Sequence, residues 1–200
     1  MSGSSQMIVG LTGMSGAGKS TVCGVFAENG FDVVDCDKCS REVVQTGMPA
    51  LEELRERFCA DVIRQDGTLD RRATAEIIFN DPKKRRVFNQ IMYPYITYNI
   101  IVKLRQCGGL ALLDAPTLFE AGLELLCRSI VCVVADTEQC AERIMKRDGI
   151  DRGLARARLG SQHGADFYIS RSDICIENNG TPAQLREAAA RAAEKLKGGT

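Results

Sequence analysis

The chain has 200 residues, and its 26 Lys and Arg side chains balance 26 Asp and Glu, so its formal net charge is zero. Hydrophobic residues make up 44% of it, enough for a sizeable core in one domain with room for an inserted lobe. Neutrality argues against a dedicated binder of duplex nucleic acid, which normally carries a basic excess. No apolar run approaches the roughly 18 residues of a membrane-spanning helix, and residues 1–6 lack a secretory-signal pattern.

The nine cysteines do not predict a disulfide framework. Their number is odd, and most lie in apolar-periodic stretches, as buried thiols do in a reducing compartment. Cys36-x-x-Cys39 has the spacing of redox and zinc motifs, but no second such pair accompanies it, and the single histidine, His163, lies far along the chain. We therefore expect a cytoplasmic protein, with a metal or redox role of the cysteines as a minor alternative.

Short β-type runs alternate with helical stretches, which predicts an α/β fold with a parallel five-stranded sheet flanked by helices. The predicted strands are residues 7–12, 31–35, 110–114, 130–135 and 173–176. A helix is predicted over 22–29, ending at Gly30. The last helix is predicted to run from Pro182, with Thr181 as its N-cap, to about Lys197.

A helical lobe is predicted between the second and third strands, at about 38–107. Its roughly 70 residues are more than a single crossover helix needs. Helices are predicted over 49–58 and 71–79, another starts at Asp81-Pro82, and a separate one covers 94–104.

A second excursion from the sheet, at about 138–167, is dense in arginine and is predicted to form a lid. Its arginines are Arg143, Arg147, Arg152, Arg156 and Arg158. The predicted core is then 7–37, 108–137 and 168–197. Residues 1–6 are expected to be a flexible N-terminus.

A phosphate-binding loop is the clearest motif. Gly13-x-x-x-x-Gly18-Lys19-Ser20 matches G-x-x-x-x-G-K-[ST] and lies between a predicted strand and a helix. Glycines let backbone N–H groups point into one concavity, and the following helix adds the positive end of its dipole. Lys19 can reach the outer phosphates, and the Ser20 hydroxyl can bind Mg²⁺. We predict ATP and Mg²⁺ as cofactors, with Ser20 as the metal ligand. The predicted nucleotide-binding residues of the loop are Gly13, Ser15, Gly16, Ala17, Gly18, Lys19, Ser20 and Thr21.

The other features favour a small-molecule kinase among nucleotide-binding proteins. The guanine-reading Asn-Lys-x-Asp of GTPases is absent, and the apolar run 110–113 delivers the carboxylate of Asp114 to the end of a strand. Arginines on a mobile lid can neutralise the transferring phosphoryl group, and a closing lid excludes water. Arg143 and Arg147 are the favoured candidates for this role, since some of the later arginines are typical of a solvated helix face.

Asp35 and Asp37 end the second predicted strand, where open α/β sheets bind ligands. If the strand stays extended, alternation places both carboxylates on one side of it. One of them could orient and deprotonate an acceptor hydroxyl. Asp37 could equally be the N-cap of the following helix, and the spacing leaves both roles open.

Taken together, these motifs resemble the dephospho-coenzyme A kinase family over about residues 7–196. In chain order, the matching segments are the phosphate loop, Asp35-Cys36-Asp37 with Arg41, Gly67 to Arg71 with Ile78-Phe79, Pro116 to Glu120, Arg143 with Arg147-Asp148-Gly149, Ser161-Gln162, and Ser172-Asp173 with Asn178-Asn179-Gly180. The phosphate loop is shared by many families. The Asp pair together with the Pro-x-Leu-Phe-Glu segment is much more specific.

The resemblance implies ATP-dependent phosphorylation of the ribose 3′-hydroxyl of dephospho-coenzyme A, giving coenzyme A and ADP. It implies a P-loop kinase fold with a helical substrate lobe and an Arg-rich lid, and Asp37, Lys19 and Arg143 as the catalytic residues, with Asp37 the general base. The further ATP contacts that it implies are Arg143, Arg147, Asn178 and Gly180. The implied acceptor contacts are Asp35, Asp37, Arg41, Arg71, Pro116, Leu118 and Glu120.

The chain also departs from the family pattern. It has Tyr93-Pro94 where the family usually has His-Pro, Thr117 where the family usually has Leu, and Cys36 in place of a small Ala. These changes bear on packing around the substrate rather than on the reaction class. Another small-metabolite or nucleoside kinase and a non-catalytic ATP-binding regulator remain the alternatives. We expect no nucleic-acid or membrane partner, and a monomer.

Overall fold

The computed structural model describes residues 6–198, so most of the N-terminal segment predicted to be flexible lies outside the described residues. The chain divides into two compact units. One combines the residues up to Val33 with those from Cys107 onward, and the other is Val34–Gln106. Each unit has a buried apolar cluster of its own.

The strands form one sheet. They are β1 (Met7–Gly13), β2 (Asp32–Asp35), β3 (Leu110–Asp114), β4 (Ser129–Val134) and β5 (Ile174–Glu177). Their order is β2-β3-β1-β4-β5, and β1 pairs in parallel with both β3 and β4, as β4 does with β5. The central strand is almost entirely buried, as expected for a parallel sheet covered on both faces. The predicted α/β fold with a parallel five-stranded sheet is confirmed.

Helices account for most of the remaining described chain. They are α1 (Lys19–Glu28), α2 (Cys36–Glu42), α3 (Pro49–Arg57), α4 (Arg71–Asn80), α5 (Pro82–Gln106), α6 (Thr137–Asp148), α7 (Arg152–Gly160), α8 (Ala165–Ile169) and α9 (Pro182–Gly198). Single 3₁₀ turns occur at Ala60–Val62 and Leu123–Leu126. None of the helices described is both long enough and apolar enough to cross a membrane. The predicted N-cap of α9 is present, because the Gln184 N–H donates to the Thr181 hydroxyl over 3.3 Å.

The predicted helix break before Pro94 was wrong. Helix α5 is continuous over 25 residues with Pro94 inside it. A proline in a helix interior costs about 3 kcal/mol, since it removes one hydrogen bond and crowds the preceding turn. Ile91, Met92 and Ile100 on either side of it are buried, and each buried side chain of this size contributes roughly 1.5–3 kcal/mol. Burial on both sides therefore outweighs the local cost.

The start of α1 differs from the predicted one, and strand β2 does not extend as far as Asp37. Helix α1 begins at Lys19 rather than at residue 22, because Gly18, with φ 100°, turns the loop directly into the helix. Strand β2 ends at Asp35, and α2 begins at the next residue. The extended stretch that would have placed Asp35 and Asp37 on one side of a strand is therefore absent.

Candidate functional site

The loop between β1 and α1 is built for close backbone packing. Gly13, Gly16 and Gly18 have φ values of 141°, 77° and 100°, which glycine adopts far more readily than other residues. A Cβ at Gly13 would overlap the carbonyl oxygen of Val133, its register partner on β4. The glycines of the motif are thus required by backbone conformation and, at Gly13, by the neighbouring strand.

The N-terminus of α1 is open to an anion. Gly18 is its N-cap and has no side chain that could cap the first turn. Exposed N–H groups at a helix start, together with the helix dipole, favour bound phosphate. Lys19, the first residue of α1, forms an ion pair with Asp114 at the carboxyl end of β3. The structure therefore gathers the backbone donors, a lysine and a carboxylate at one edge of the sheet.

The phosphate loop is held by two residues that follow it far along the chain. The side-chain amide of Asn178 donates to the carbonyl oxygen of Ala17 over 2.8 Å, and this bond is buried. The Arg143 guanidinium donates to the carbonyls of Gly16 (3.4 Å) and Asn178 (3.0 Å) and to the Gln139 side chain (3.0 Å). Both residues belong to the predicted nucleotide contacts, and both contact the loop itself.

Gln162 is a loop contact for which the sequence analysis assigned no role. Its side-chain oxygen accepts a hydrogen bond from the backbone N–H of Ser15 over 3.1 Å. The two residues are 147 positions apart. A glutamine in a turn between two helices carries no local pattern that predicts such a contact.

The other lid arginines are paired with acids in the same region of the chain. Arg147 donates to Asp148 over 2.7 and 2.9 Å, and Arg158 also pairs with Asp148. These guanidinium groups, with Arg147 contributing most, lower the pKa of the Asp148 carboxyl to about 2. Arg152 and Arg156 both pair with Glu138. Arg147 was predicted to contact ATP, and in this structure its guanidinium pairs with the adjacent residue, Asp148.

The segment from Pro116 to Glu120 divides between the core and a cavity. The Pro116 carbonyl accepts a hydrogen bond from the Thr12 hydroxyl over 3.3 Å, and Leu118 is fully buried. Glu120 lies 3.6 Å from His163 on the wall of a 510 Å³ cavity. The His163 ring stacks on that of Phe167, with centroids 3.6 Å apart. Of the predicted acceptor contacts in this segment, only Glu120 lines this cavity.

Gly180 lies in the turn before α9. A side chain there would overlap Gln184, whose side-chain oxygen accepts a hydrogen bond from the Thr181 N–H over 2.8 Å. Gly180 is thus needed by the cap of α9.

In the second unit, the two aspartates of the Asp-Cys-Asp motif have different surroundings. Asp35 is the N-cap of α2, since its carboxylate accepts a hydrogen bond from the Lys38 N–H over 2.9 Å. Asp37 lies in the first helical turn with an exposed side chain. The cap is therefore Asp35 and not Asp37, which leaves the Asp37 carboxylate available for another role.

Arg41 and Arg71 line the same cavity of 370 Å³ in this unit. Arg41 is in the last turn of α2, one turn after Asp37 on the same helix face, and Arg71 begins α4. Neither guanidinium forms an ion pair within residues 6–198. The structure thus places at one cavity two cations that are 30 positions apart in the sequence.

The buried cysteines have poorly nucleophilic surroundings. Burial raises the pKa of the Cys39 and Cys140 thiols above the ordinary cysteine value, so both stay protonated at neutral pH. Across the described part of the chain, no three His, Cys, Asp or Glu side chains are grouped so that they could hold a metal ion.

The site defines a phosphate-loop nucleotide-binding protein: it has a central parallel sheet, a glycine loop that opens a helix with lysine, and a carboxylate at the end of the adjacent strand. A family model described as dephospho-CoA kinase matches residues 7–184. The chain belongs to the dephospho-CoA kinase family.

Known relatives agree with this assignment. A dephospho-CoA kinase of Anaeromyxobacter dehalogenans is 38% identical over 96% of this chain and 93% of its own length. One of Oryza sativa is 37% identical over 90% and 80%, respectively. A crystal structure of a Thermus thermophilus protein has a TM-score of 0.86, with 29% identity over 96% of this chain and 97% of its own. Dephospho-CoA kinase from Campylobacter jejuni shares the fold, with a TM-score of 0.63 and 20% identity over 96% and 97%.

Proposed function

We propose that this chain transfers the terminal phosphoryl group of ATP to the ribose 3′-hydroxyl of dephospho-coenzyme A, giving coenzyme A and ADP. The observation that carries this proposal is the family match over residues 7–184, which includes both the phosphate loop and the Asp37–Arg41 turn. A P-loop alone would support ATP use, whereas the acceptor depends on this wider match.

On the donor side, the proposed role of Lys19 is to neutralise charge on the transferring phosphoryl group. Such transfers depend on positioning and electrostatic stabilisation rather than on covalent chemistry by the protein. Lys19 is held beside Asp114 at the start of α1, where the backbone donors of the loop also lie. Arg143, which already donates to the Gly16 carbonyl of the loop, and Arg147 would add positive charge as the lid closes.

Magnesium fits the oxygen donors at this edge of the sheet. Ser20 has an exposed side chain in the first turn of α1, and the Asp114 carboxylate lies beside Lys19. Hydroxyl and carboxylate oxygens are the hard ligands that Mg²⁺ takes, usually together with phosphate oxygens and water. Ser20 would hold the ion, which would neutralise phosphate charge when bound.

On the acceptor side, the proposed general base is Asp37. Its carboxylate is exposed and is not used as a helix cap, so it can accept the proton of the 3′-hydroxyl as that oxygen attacks. The acceptor also carries a diphosphate, which is attached to the same ribose. Arg41, one helical turn from Asp37, and Arg71 supply two cations for that diphosphate, and neither forms an ion pair among the described residues. Glu120 is retained as a proposed acceptor contact.

The test is an acceptor assay. Purified chain is incubated with Mg-ATP and either dephospho-coenzyme A, adenosine or no acceptor, and ADP release is followed over time. The proposal expects acceptor-dependent ADP release with dephospho-coenzyme A, and a product that carries one added phosphate on the ribose 3′-oxygen. ADP release no faster than with ATP alone would overturn it, and preference for adenosine would point to a nucleoside kinase.

A further inference from the structure

Asn178, which lies outside the phosphate-loop motif itself, contacts a backbone carbonyl of that loop. Asn178 follows β5 and is 7% exposed. Its side-chain nitrogen donates to the Ala17 carbonyl oxygen over 2.8 Å, and that nitrogen lies 2.6 Å from where a Cβ at Gly18 would be. Because a carbonyl can only accept, the amide NH₂ group must be the end that faces Ala17.

Holding this carbonyl fixes the direction of the next N–H group. In a trans peptide the C=O and N–H bonds point to opposite sides, and no cis peptide bond occurs among the described residues. If the Ala17 oxygen points at Asn178, the Gly18 N–H points away from Asn178. Gly18, on one side of this peptide, has a φ of 100° and could adopt many other conformations. The hydrogen bond from Asn178 therefore selects one orientation of the Ala17–Gly18 peptide.

Arg143 binds the loop carbonyl that precedes the one bound by Asn178. Its guanidinium donates to the Gly16 carbonyl and to the backbone carbonyl of Asn178. Two successive carbonyls of the loop, those of Gly16 and Ala17, therefore accept hydrogen bonds from side chains, and the backbone carbonyl of Asn178 is itself bound by Arg143. The Asn178 side chain is buried and its NH₂ group is engaged, so its surroundings are those of a loop support rather than of a base-reading amide.

We propose that Asn178 is a positioning residue for phosphate binding, which acts through the Ala17 carbonyl to aim the Gly18 N–H at the phosphates and makes no contact with adenine. This inference rests on the proposed use of ATP. It predicts that Asn178 affects the affinity for the phosphate chain, whatever the rest of the ligand is.

The test compares ATP with inorganic tripolyphosphate, which has the phosphates and no base. Asn178→Asp replaces the donor by an acceptor, and Asn178→Ala removes the donor without adding charge. The matched control is Asn179→Asp, because the Asn179 side-chain oxygen accepts a hydrogen bond from the Asp136 N–H (2.7 Å) and an aspartate can still accept it. Affinities are measured by calorimetry with Mg²⁺, and a melting curve without ligand reports folding.

Both Asn178 variants should lose about 10-fold or more in affinity for ATP and for tripolyphosphate alike, the usual size of a lost buried hydrogen bond. Asn179→Asp should stay within about 2-fold, a change of the order typical of surface substitutions. Loss of ATP affinity with unchanged tripolyphosphate affinity would overturn the proposal and place Asn178 at the nucleoside. Unchanged affinity for both ligands in a variant that melts like the parent would overturn it as well. No acceptor is present, so the outcome is separate from that of the acceptor assay.

Discussion

At the scale of single residues, Asp35 and Asp37 of the Asp-Cys-Asp motif have different surroundings although they are two positions apart. Asp35 accepts the Lys38 N–H and caps α2, a contribution of about 1 kcal/mol. Asp37, in the first turn, is exposed and does not serve as the cap. The alternative of Asp37 as the helix cap is thus excluded by where the strand ends, and its catalytic role stays a prediction.

The proposed general base gives the first prediction. Asp37→Asn should lower turnover with dephospho-coenzyme A by about 10²- to 10⁴-fold, because the amide cannot accept the hydroxyl proton. ATP affinity, measured by calorimetry, should stay within a factor of about two, since Asp37 is assigned to the acceptor and typical surface changes are small.

A suitable control for this variant is Glu76→Gln, which removes the same charge from an exposed position of α4 in the same unit. It should retain parental turnover. Parental turnover in Asp37→Asn would contradict its role as the base.

The Asp148 carboxyl provides a prediction about pH. Its pKa of about 2 comes first from the Arg147 hydrogen bonds and then from Arg158, so the ionised form is favoured in the folded protein. A depressed pKa means that the stabilisation is present above the ordinary carboxyl range and is lost as pH falls through about 2. Titration of Asp148 by NMR should show this low pKa, and Arg147→Gln should raise it. An unchanged value in Arg147→Gln would refute the assigned cause.

At the scale of elements, register between strands decides what the phosphate loop can contain. Parallel pairing places Gly13 opposite Val133, so the loop leaves β1 where the backbone of β4 allows no side chain. The same sheet brings Asp114 at the end of β3 to Lys19 at the start of α1. The loop geometry is thus a consequence of strand pairing as much as of its own glycines.

Two glycine substitutions test this dependence on register. Gly13→Ala should lower the free energy of unfolding by about 3 kcal/mol or more, as overpacking against backbone at a positive φ does. Gly24→Ala, inside α1 where a Cβ meets no atom within 4 Å, should raise it by about 0.5–1 kcal/mol. Denaturant unfolding of both variants measures the difference. A Gly13→Ala protein as stable as the parent would mean that the loop can move away from β4.

At the scale of the whole molecule, zero net charge conceals an uneven distribution. Most lid arginines are neutralised locally, as with Arg152 and Arg156 on Glu138. Arg41 and Arg71, in contrast, share a cavity without an ion-pair partner in the described part of the chain. Unpaired cations in a concave site attract a multiply charged ligand, and salt screens that attraction.

The last prediction concerns these cations. Arg71→Gln and Arg41→Gln should each raise the KM for dephospho-coenzyme A by about 10-fold or more, the loss expected for one charged hydrogen bond, and leave the KM for ATP unchanged. Arg72→Gln is the control, since Arg72 is the exposed neighbour of Arg71 and does not line the cavity. Equal effects of Arg71→Gln and Arg72→Gln would show that general charge, and not this cavity, governs acceptor affinity.

The local sequence determined the strands, the phosphate loop and the starts of α3, α4, α5 and α9, because these depend on periodicity, glycine conformation and capping within a few residues. The local sequence also indicated the family, since the family's motifs occur in their usual order along the chain. The predicted helix break at Pro94 was wrong, because burial on both sides of the proline overrides its cost. The predicted end of β2 at Asp35 agrees with the structure, but helix α2 begins at the next residue, so the strand does not continue to Asp37. Only the tertiary structure decided which long-range partners meet: Asn178 on Ala17, Gln162 on Ser15, and Arg41 beside Arg71. Those contacts join residues tens to more than a hundred positions apart, and strand pairing and packing, which no local pattern encodes, bring them together.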